Sequence, residues 1–277
     1  MHDPVTQRPS RKWRGAWMED VRTVPEETAV AITCNGTSQA VMMATPADLE
    51  DFAIGFALTE GLIENPAEIE RIEIVPLDLG IEARLWVIEA RADALQRRRR
   101  RMAGPVGCGL CGIESLVEAM RPVARVAERG WITPNEIVEA MAGLRPLQAL
   151  NAATRAVHAA AFWQRGRGIT TIREDVGRHN ALDKLAGALA REGVPSSGAL
   201  LLTSRRSVEM IQKSARIGAE IVVAVSAPTA LAIRAAEEAG ITLVGVARAD
   251  GFEVFTHTHR IVDCAEVEAL QQKAVPA

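Results

Sequence analysis

Between residues 199 and 246 short apolar runs alternate with helical patterns, and this alternation constrains the fold more than any other feature of the chain. Ala199–Thr203, Glu220–Val225 and Ile241–Val246 are strand-length and rich in Val, Leu and Ile. Between them lie two helical patterns, Ser207–Ile217 and Pro228–Ala239, the second stopped by Gly240. Strand, helix, strand, helix, strand at this spacing means right-handed crossovers and a mostly parallel sheet. An earlier run, Ile169–Arg173, joins that sheet ahead of a helix at Asn180–Ala190. The unit opens at Thr133-Pro134-Asn135-Glu136, a capping box with proline at the first helical position.

Upstream the pattern changes to a smaller α+β unit. Thr28 to Met43 alternates and is β-branched, which predicts a hairpin turning at Asn35-Gly36. Thr45-Pro46 then opens a helix with Leu49, Phe52, Ala53 and Phe56 on its apolar face and Gly61 as its stop. Residues 69–75 and 82–90 read as two further strands. Residues 1–20 are polar and read as a flexible, irregular segment with Trp13 and Trp17 as docking points. The expected organisation is that segment, an α+β domain over 21–132, and an α/β domain over 133–277. A chain of 277 residues is long enough for two such cores.

Several function classes are excluded at this level. Although 48% of residues are hydrophobic, no apolar run approaches the roughly 18 residues of a membrane span. The first ten residues are too polar for a secretory signal. A cytoplasmic protein with no membrane partner is expected. A net charge of −3 argues against a general nucleic-acid binder.

The chemistry-bearing stretch is Gly104-Pro-Val-Gly-Cys-Gly-Leu-Cys-Gly112, with Cys108 and Cys111 set among glycines. Five arginines, Arg97 to Arg101, precede it. A positive field lowers a thiol pKa, and the thiolate is the reactive form. The pair therefore reads either as a sulfur acceptor and donor or as metal ligands. A structural zinc site needs four ligands, and Cys34 and Cys264 are isolated from each other. Both read as small apolar residues, and no metal is expected. The surrounding glycines argue against a thioredoxin-type pair, which sits at a helix start. His158 is followed by Ala159-Ala160 where a zinc deaminase would carry H-x-E, and no P-C-x-x-C follows, which argues against deamination. His257 and His259 are placed on a terminal strand.

In an open parallel sheet, ligands bind outside the carboxyl ends of the strands. Those ends run into Thr203-Ser204-Arg205-Arg206, Ser226-Ala227-Pro228-Thr229 and Val246-Ala247-Arg248-Ala249-Asp250-Gly251. The earlier strand runs into Glu174-Asp175 and on to His179. Hydroxyls, arginines and helix N-termini on one edge suit an anionic, nucleotide-like ligand. Arg206 and Arg248 are expected to supply charge-assisted bonds to it, with Ser204, Arg205, Ser226, Thr229, Asp175 and His179 around them. Nothing matches a G-x-G-x-x-G or a P-loop.

With these residues in hand, the chain resembles the FdhD/NarQ family of formate dehydrogenase accessory sulfurtransferases. The resemblance is carried by Gly107 to Gly112, Glu174 to Lys184, Thr203 to Arg206 leading to Glu209 and Lys213, Val225 to Thr229, and Leu243 to Gly245 running to His257. It spans about residues 24 to 263. It implies a small N-terminal domain joined to a three-layer domain of cytidine-deaminase-like fold without the zinc set. It further implies sulfur relay: a cysteine desulfurase loads a persulfide onto Cys108 or Cys111. The sulfur then passes to the molybdenum of a bound bis(molybdopterin guanine dinucleotide) destined for formate dehydrogenase. A homodimer is part of the same expectation. Arg248-Ala-Asp-Gly251 departs from the family's basic turn. A non-catalytic chaperone, binding the cofactor with the cysteines as thiol clamp or metal ligands, is the alternative of different class.

Overall fold

A computed structural model of the chain describes residues 3–91, 123–127, 129–193 and 198–263. Cys108, Cys111, the run Arg97–Arg101 and Cys264 lie outside the described residues. A hairpin comes first, β1 (Val5–Trp13) and β2 (Trp17–Pro25), pairing along its full length. Expected as irregular, this segment instead closes a ladder from Val5↔Pro25 to Trp13↔Trp17. At its tip the rings of Trp13 and Trp17 meet edge-on at 5.5 Å. Paired aromatics and cross-strand charges such as Arg11–Glu19 and Lys12–Asp20 stabilise such a ladder without burial.

A four-stranded sheet follows, with spatial order β4-β3-β6-β5. Its strands are β3 (Thr28–Cys34), β4 (Thr37–Ala44), β5 (Ile69–Leu77) and β6 (Gly80–Val87). The turn between β3 and β4 falls at Asn35-Gly36, both with positive φ, the geometry of the predicted tight hairpin. One face of this sheet packs Val30, Ile32, Ala83 and Leu85 against Phe52, Phe56 and Ala57 of helix α1 (Leu49–Thr59). The helix starts three residues later than Pro46 would set it. Thr45 cannot act as a cap, because its N–H, hydroxyl and carbonyl are all committed to Asp175, Val176 and Lys184 respectively.

The second sheet has six strands in the order β12-β11-β10-β9-β7-β8. These are β7 (His158–Gln164), β8 (Gly168–Asp175), β9 (Ala199–Leu202), β10 (Ile221–Ala224), β11 (Thr242–Arg248) and β12 (Gly251–Val254). The three adjacent strands β9, β10 and β11 are parallel, as the alternation requires. The flanking pairings β7 with β8 and β9, and β11 with β12, are antiparallel, so the sheet as a whole is mixed. β7 reads His-Ala-Ala-Ala-Phe-Trp-Gln, whose alanines carry no strand signal of their own. It is a strand because it is buried between two others. His257 and His259 are not on a strand: β12 ends at Val254, and a 3-10 turn occupies Thr258–Arg260.

Helices cover both faces, giving three layers. On one side α2 (Pro134–Leu147) presents Ile137, Ala140 and Leu144 to Ala161, Leu201 and Val223, and the short α3 (Ala149–Thr154) follows it. The capping box at Thr133 and Glu136 is formed as expected. On the other side α4 (Arg178–Glu192), α5 (Val208–Ile217) and α6 (Ala230–Ala239) pack on Phe162, Leu200, Val222 and Leu243. Val126 and Ile132, assigned to the first unit by the sequence reading, are buried in the two cores of the second.

The two sheets are joined through α1 and α4, which cross antiparallel at backbone contact. A Cβ on Gly55 would overlap the Asp183 carbonyl, and one on Gly187 would overlap the Asp51 carbonyl. Buried ion pairs surround the crossing. Lys213 Nζ sits 2.9 Å from Asp183 and 2.7 Å from Glu60. Arg173 and Arg191 take the two oxygens of Asp51 at 2.7 and 2.8 Å. Lys184 meets Asp175 at 2.7 Å with both side chains fully buried. Among the described residues no helix is long and apolar enough to cross a membrane.

Gly55→Ala must push α1 off α4, so it should lower the free energy of unfolding by about 3 kcal/mol or prevent folding. Gly143, on an exposed stretch of α2, would meet only Ile169 Cδ1 at 3.8 Å. Gly143→Ala should stabilise by about 0.5–1 kcal/mol through helix propensity. Urea unfolding of both variants checks the pair.

Candidate functional site

β8 runs in the same direction as β9, β10 and β11, because two antiparallel steps through β7 restore it. All four carboxyl ends therefore share one edge, and β7 begins there. On the α2–α3 side of that edge lies a cleft of about 530 Å³, within the range of small-ligand sites. Its floor is made by His158 at the start of β7, Thr203 after β9, Val225 after β10 and Ala247 on β11. Arg248 and Ala249 close one side, and Arg145, Gln148 and Asn151 the other. Arg145 and Arg248 thus put two exposed guanidinium groups on opposite walls.

The loop carrying Arg248 is held in an unusual conformation. The ladder between β11 and β12 slips between Gly245 and Arg248, and Val246 adopts φ 52°. A β-branched residue in the left-handed region is strained. It persists where surrounding structure over-determines it, and such sites concentrate at ligand clamps. Val246 N–H donates to the Ser226 carbonyl at 3.4 Å. Ala247 turns into the core, whereas Arg248, Ala249 and Asp250 face solvent and Gly251 takes φ 145°.

Arg206 does not face this cleft. Its side chain is 0% exposed, donating to the Val244 carbonyl at 2.9 Å and to the Ser226 carbonyl. Gly245 has no side chain because one would run into the same guanidinium. Burial pushes the Arg206 pKa down to about 10, so the group stays charged at neutral pH. The expectation of a ligand-binding Arg206 is corrected: it braces the loops after β10 and β11 from beneath. A sequence shows that an arginine follows a strand, not which way it turns, and Arg205 beside it is the exposed one.

Asp175 is corrected in the same way. Its carboxylate is fully buried and accepts from Thr45 N–H at 3.0 Å, Gly177 N–H at 2.7 Å and Asn180 at 3.0 Å, besides pairing with Lys184. No oxygen is left for a ligand. Thr229 spends its hydroxyl on the N-terminus of α6, accepting from Ala232 N–H at 3.2 Å. Ser204 is buried. His179 belongs to a second cleft of about 440 Å³ on the α4–α5 side, with Met43, Phe56, Glu60, Glu209 and Lys213. Its Nε2 is buried without a hydrogen-bond partner. Of the predicted set, the structure brings Ala247, Arg248 and Ala249 together in one cleft and distributes the rest.

Sequence reasoning missed Arg145, Gln148 and Asn151, which flank Pro146 near the end of α2 and resemble an ordinary solvated turn. It passed over His158, whose position on the floor of the cleft depends on β7. Burial, together with the nearby Arg178, lowers the His158 pKa, so the ring is neutral at pH 7. No group of three or more His, Cys, Asp or Glu suited to a metal occurs among the described residues. Cys34 is buried and its thiol pushed up to about 11, which makes it inert.

A model of the FdhD/NarQ family matches residues 25–262. The sulfur carrier protein FdhD of Agrobacterium fabrum is 52% identical over 243 residues, covering 87% of this chain and 90% of that protein. The sulfur carrier protein FdhD of Brucella abortus is 51% identical over 249 residues, covering 89% and 93%. A crystal structure described as a formate dehydrogenase accessory protein from Desulfotalea psychrophila superposes with a TM-score of 0.72 at 27% identity. It covers 94% of this chain and 100% of its own.

Burial and the charges of Arg178 and Lys213 also lower the His179 pKa, against the opposing pull of Glu209 and Glu60. In the unfolded chain this imidazole takes up a proton near 6.5, and in the fold only at lower pH. Stability is then present above about pH 6.5 and is lost as pH falls through the interval to the folded-state value. Chemical unfolding at pH 7.5 and 5.5 should show a smaller acid loss in His179→Gln than in the parent protein. An equal loss would assign the acid sensitivity elsewhere.

Proposed function

This chain belongs to the FdhD/NarQ family, and from that premise we propose that it is a sulfur carrier that matures formate dehydrogenase through a cysteine persulfide. The observation that carries the reading is the C-x-x-C pair at Cys108 and Cys111 beside five arginines, in a chain about half identical to proteins named sulfur carriers. In the first step the Cys108 thiolate attacks the terminal sulfur of a persulfide on a cysteine desulfurase. The S–S bond of the donor breaks, its cysteine leaves as thiolate, and the sulfane sulfur is now on Cys108. Cys111 assists the onward transfer. The arginine run favours the thiolate of both partners in this exchange.

The acceptor in this proposal is the molybdenum of bis(molybdopterin guanine dinucleotide), carried as substrate before its insertion into formate dehydrogenase. The cleft at the carboxyl edge is the site for a nucleotide half. Its volume, the paired cations Arg145 and Arg248, and the strained Val246 loop support that assignment. The protein acts in the cytoplasm as a homodimer. A chaperone that only holds the cofactor would use the same cleft but form no persulfide.

Incubation with a cysteine desulfurase and cysteine should add about 32 Da, one sulfur atom, removable by reductant. The addition should be absent in Cys108→Ala, which should also fail to mature formate dehydrogenase while remaining folded. Maturation by Cys108→Ala but not by Cys111→Ala would exchange the two roles. No added mass in the wild type would leave the chaperone.

Calorimetry with GDP, standing in for the nucleotide half, tests the cleft. Arg248→Ala should weaken binding roughly ten- to a hundredfold, and binding should weaken with salt. Arg206→Ala should instead appear first as lost stability in a thermal melt. Undiminished GDP affinity in Arg248→Ala would remove the nucleotide from this edge.

A further inference from the structure

The opposite edge of the six-stranded sheet carries another polar cleft, of about 330 Å³. It lies where β7 ends at Gln164 and where β9 and β10 begin. Two separate loops build its walls: Arg129 and Trp131 ahead of α2, and Arg165 and Arg167 in the turn between β7 and β8. Trp163 and Gln164, at the end of β7, complete its polar lining.

Both walls are held in place. Arg165 lies over the Trp131 ring, 3.3 Å from its centroid. Two bonds to Glu136, at 2.6 and 2.8 Å, and one to the Trp131 carbonyl at 3.0 Å lock it there and neutralise its charge. The buried Glu220 carboxylate accepts from Arg129 N–H at 3.0 Å and from Gly130 N–H, which pins the loop that carries Arg129. Arg167 donates to the Gln164 amide oxygen at 3.1 Å, a neutral partner that orients the guanidinium and leaves its charge uncancelled.

Every lining side-chain group left free is a donor. Arg129 and Arg167 are exposed, and neither meets a carboxylate among the described residues. The indole N–H groups of Trp131 and Trp163 have no partner there either. With its oxygen taken, the Gln164 amide offers only its NH₂. None of the lining side chains is acidic. Two guanidinium forks, two indoles and an amide exceed the roughly four lone-pair sites of one carboxylate. The complement is therefore a ligand with at least two carboxylates. Exposed guanidinium groups hold a free small acid weakly, because water screens the pair. A protein laid over the cleft excludes that water, and the half-buried Trp131 gives it an apolar surface to rest on.

We propose that this amino-edge cleft is a docking site for an acidic segment of a partner protein, whose paired Asp or Glu carboxylates are taken by Arg129 and Arg167 beside Trp131. The strands separate the two edges of the sheet, so a protein docked here leaves the cleft beside Arg248 open. The site depends on neither the persulfide nor the nucleotide reading.

Fluorescence anisotropy with the full-length protein tests it. The probe is a fluorescein-labelled, blocked peptide, Gly-Ala-Glu-Glu-Ala-Glu-Glu-Gly, with a counterpart carrying glutamine for every glutamate as reference. The acidic peptide should bind about tenfold or more tightly than its counterpart, and added salt should weaken it. Arg129→Gln and Arg167→Gln should each weaken binding about tenfold. Arg234→Gln, the same charge change at an exposed position of α6, should leave it unaltered. Failure of the acidic peptide to bind, equal affinity for the two peptides, or an equal loss in Arg234→Gln overturns the inference. Displacement of the peptide by glutarate at equal carboxylate concentration would make the cleft a small-acid site, and tighter binding of a labelled single-stranded oligonucleotide would make it a nucleic-acid site. Either result overturns the assignment to an acidic protein segment.

Discussion

The backbone contact between α1 and α4 is the constraint on which the rest of the structure depends. Each helix places an aspartate four residues before a glycine, Asp51 with Gly55 and Asp183 with Gly187, and in the antiparallel crossing each glycine receives the other helix's aspartyl backbone. Helix axes can approach this closely only where side chains are absent. The closeness then leaves the two carboxylates buried, and a buried charge must be paired. Lys213 from α5 and Arg173 from β8 supply partners from outside the crossing, and Thr59 of α1 and Arg191 of α4 supply the others across it. Breaking one such pair by removing a single partner costs about 3–5 kcal/mol.

A third node, Asp175 with Lys184, ties the strand ends to the end of β4 through Thr45, Met43 and Asn180. The carboxyl edge of the six-stranded sheet is consequently split between two duties. On the α4–α5 side Asp175, Asn180 and Lys184 are consumed in fastening the smaller sheet to the larger one. On the α2–α3 side no second sheet is docked, and the edge opens into the cleft. The residues there keep free donors and acceptors because nothing in the fold requires them.

Arg206 connects fastening to function. Its buried guanidinium binds carbonyls after β10 and β11, and so holds the strained turn at Val246 from which Arg248 emerges. An arginine that meets only carbonyls, with no carboxylate beside it, remains a net positive charge beneath the site. It adds to the field of Arg145 and Arg248 without touching what they would bind.

The order of strands and helices after residue 199, the hairpin at Asn35-Gly36 and the capping box at Thr133 were all legible in the sequence. Each depends on local periodicity or on a few adjacent residues with fixed conformational preferences. That the strand ends form one edge also followed, since parallel strands can share no other arrangement. The direction in which a side chain leaves that edge did not. Asp175 and Arg206 look like ligand groups in one dimension and are buried braces in three, because their partners, Thr45 and Lys184 for one, Val244 and Ser226 for the other, come from distant elements. β7 was invisible because alanine becomes a strand residue only when neighbours bury it, and with β7 hidden, His158 had no address. Gln148 is the opposite case. Its sequence neighbourhood is ordinary, and it reaches the wall of the cleft only because α2 and α3 pack over the carboxyl edge of the sheet.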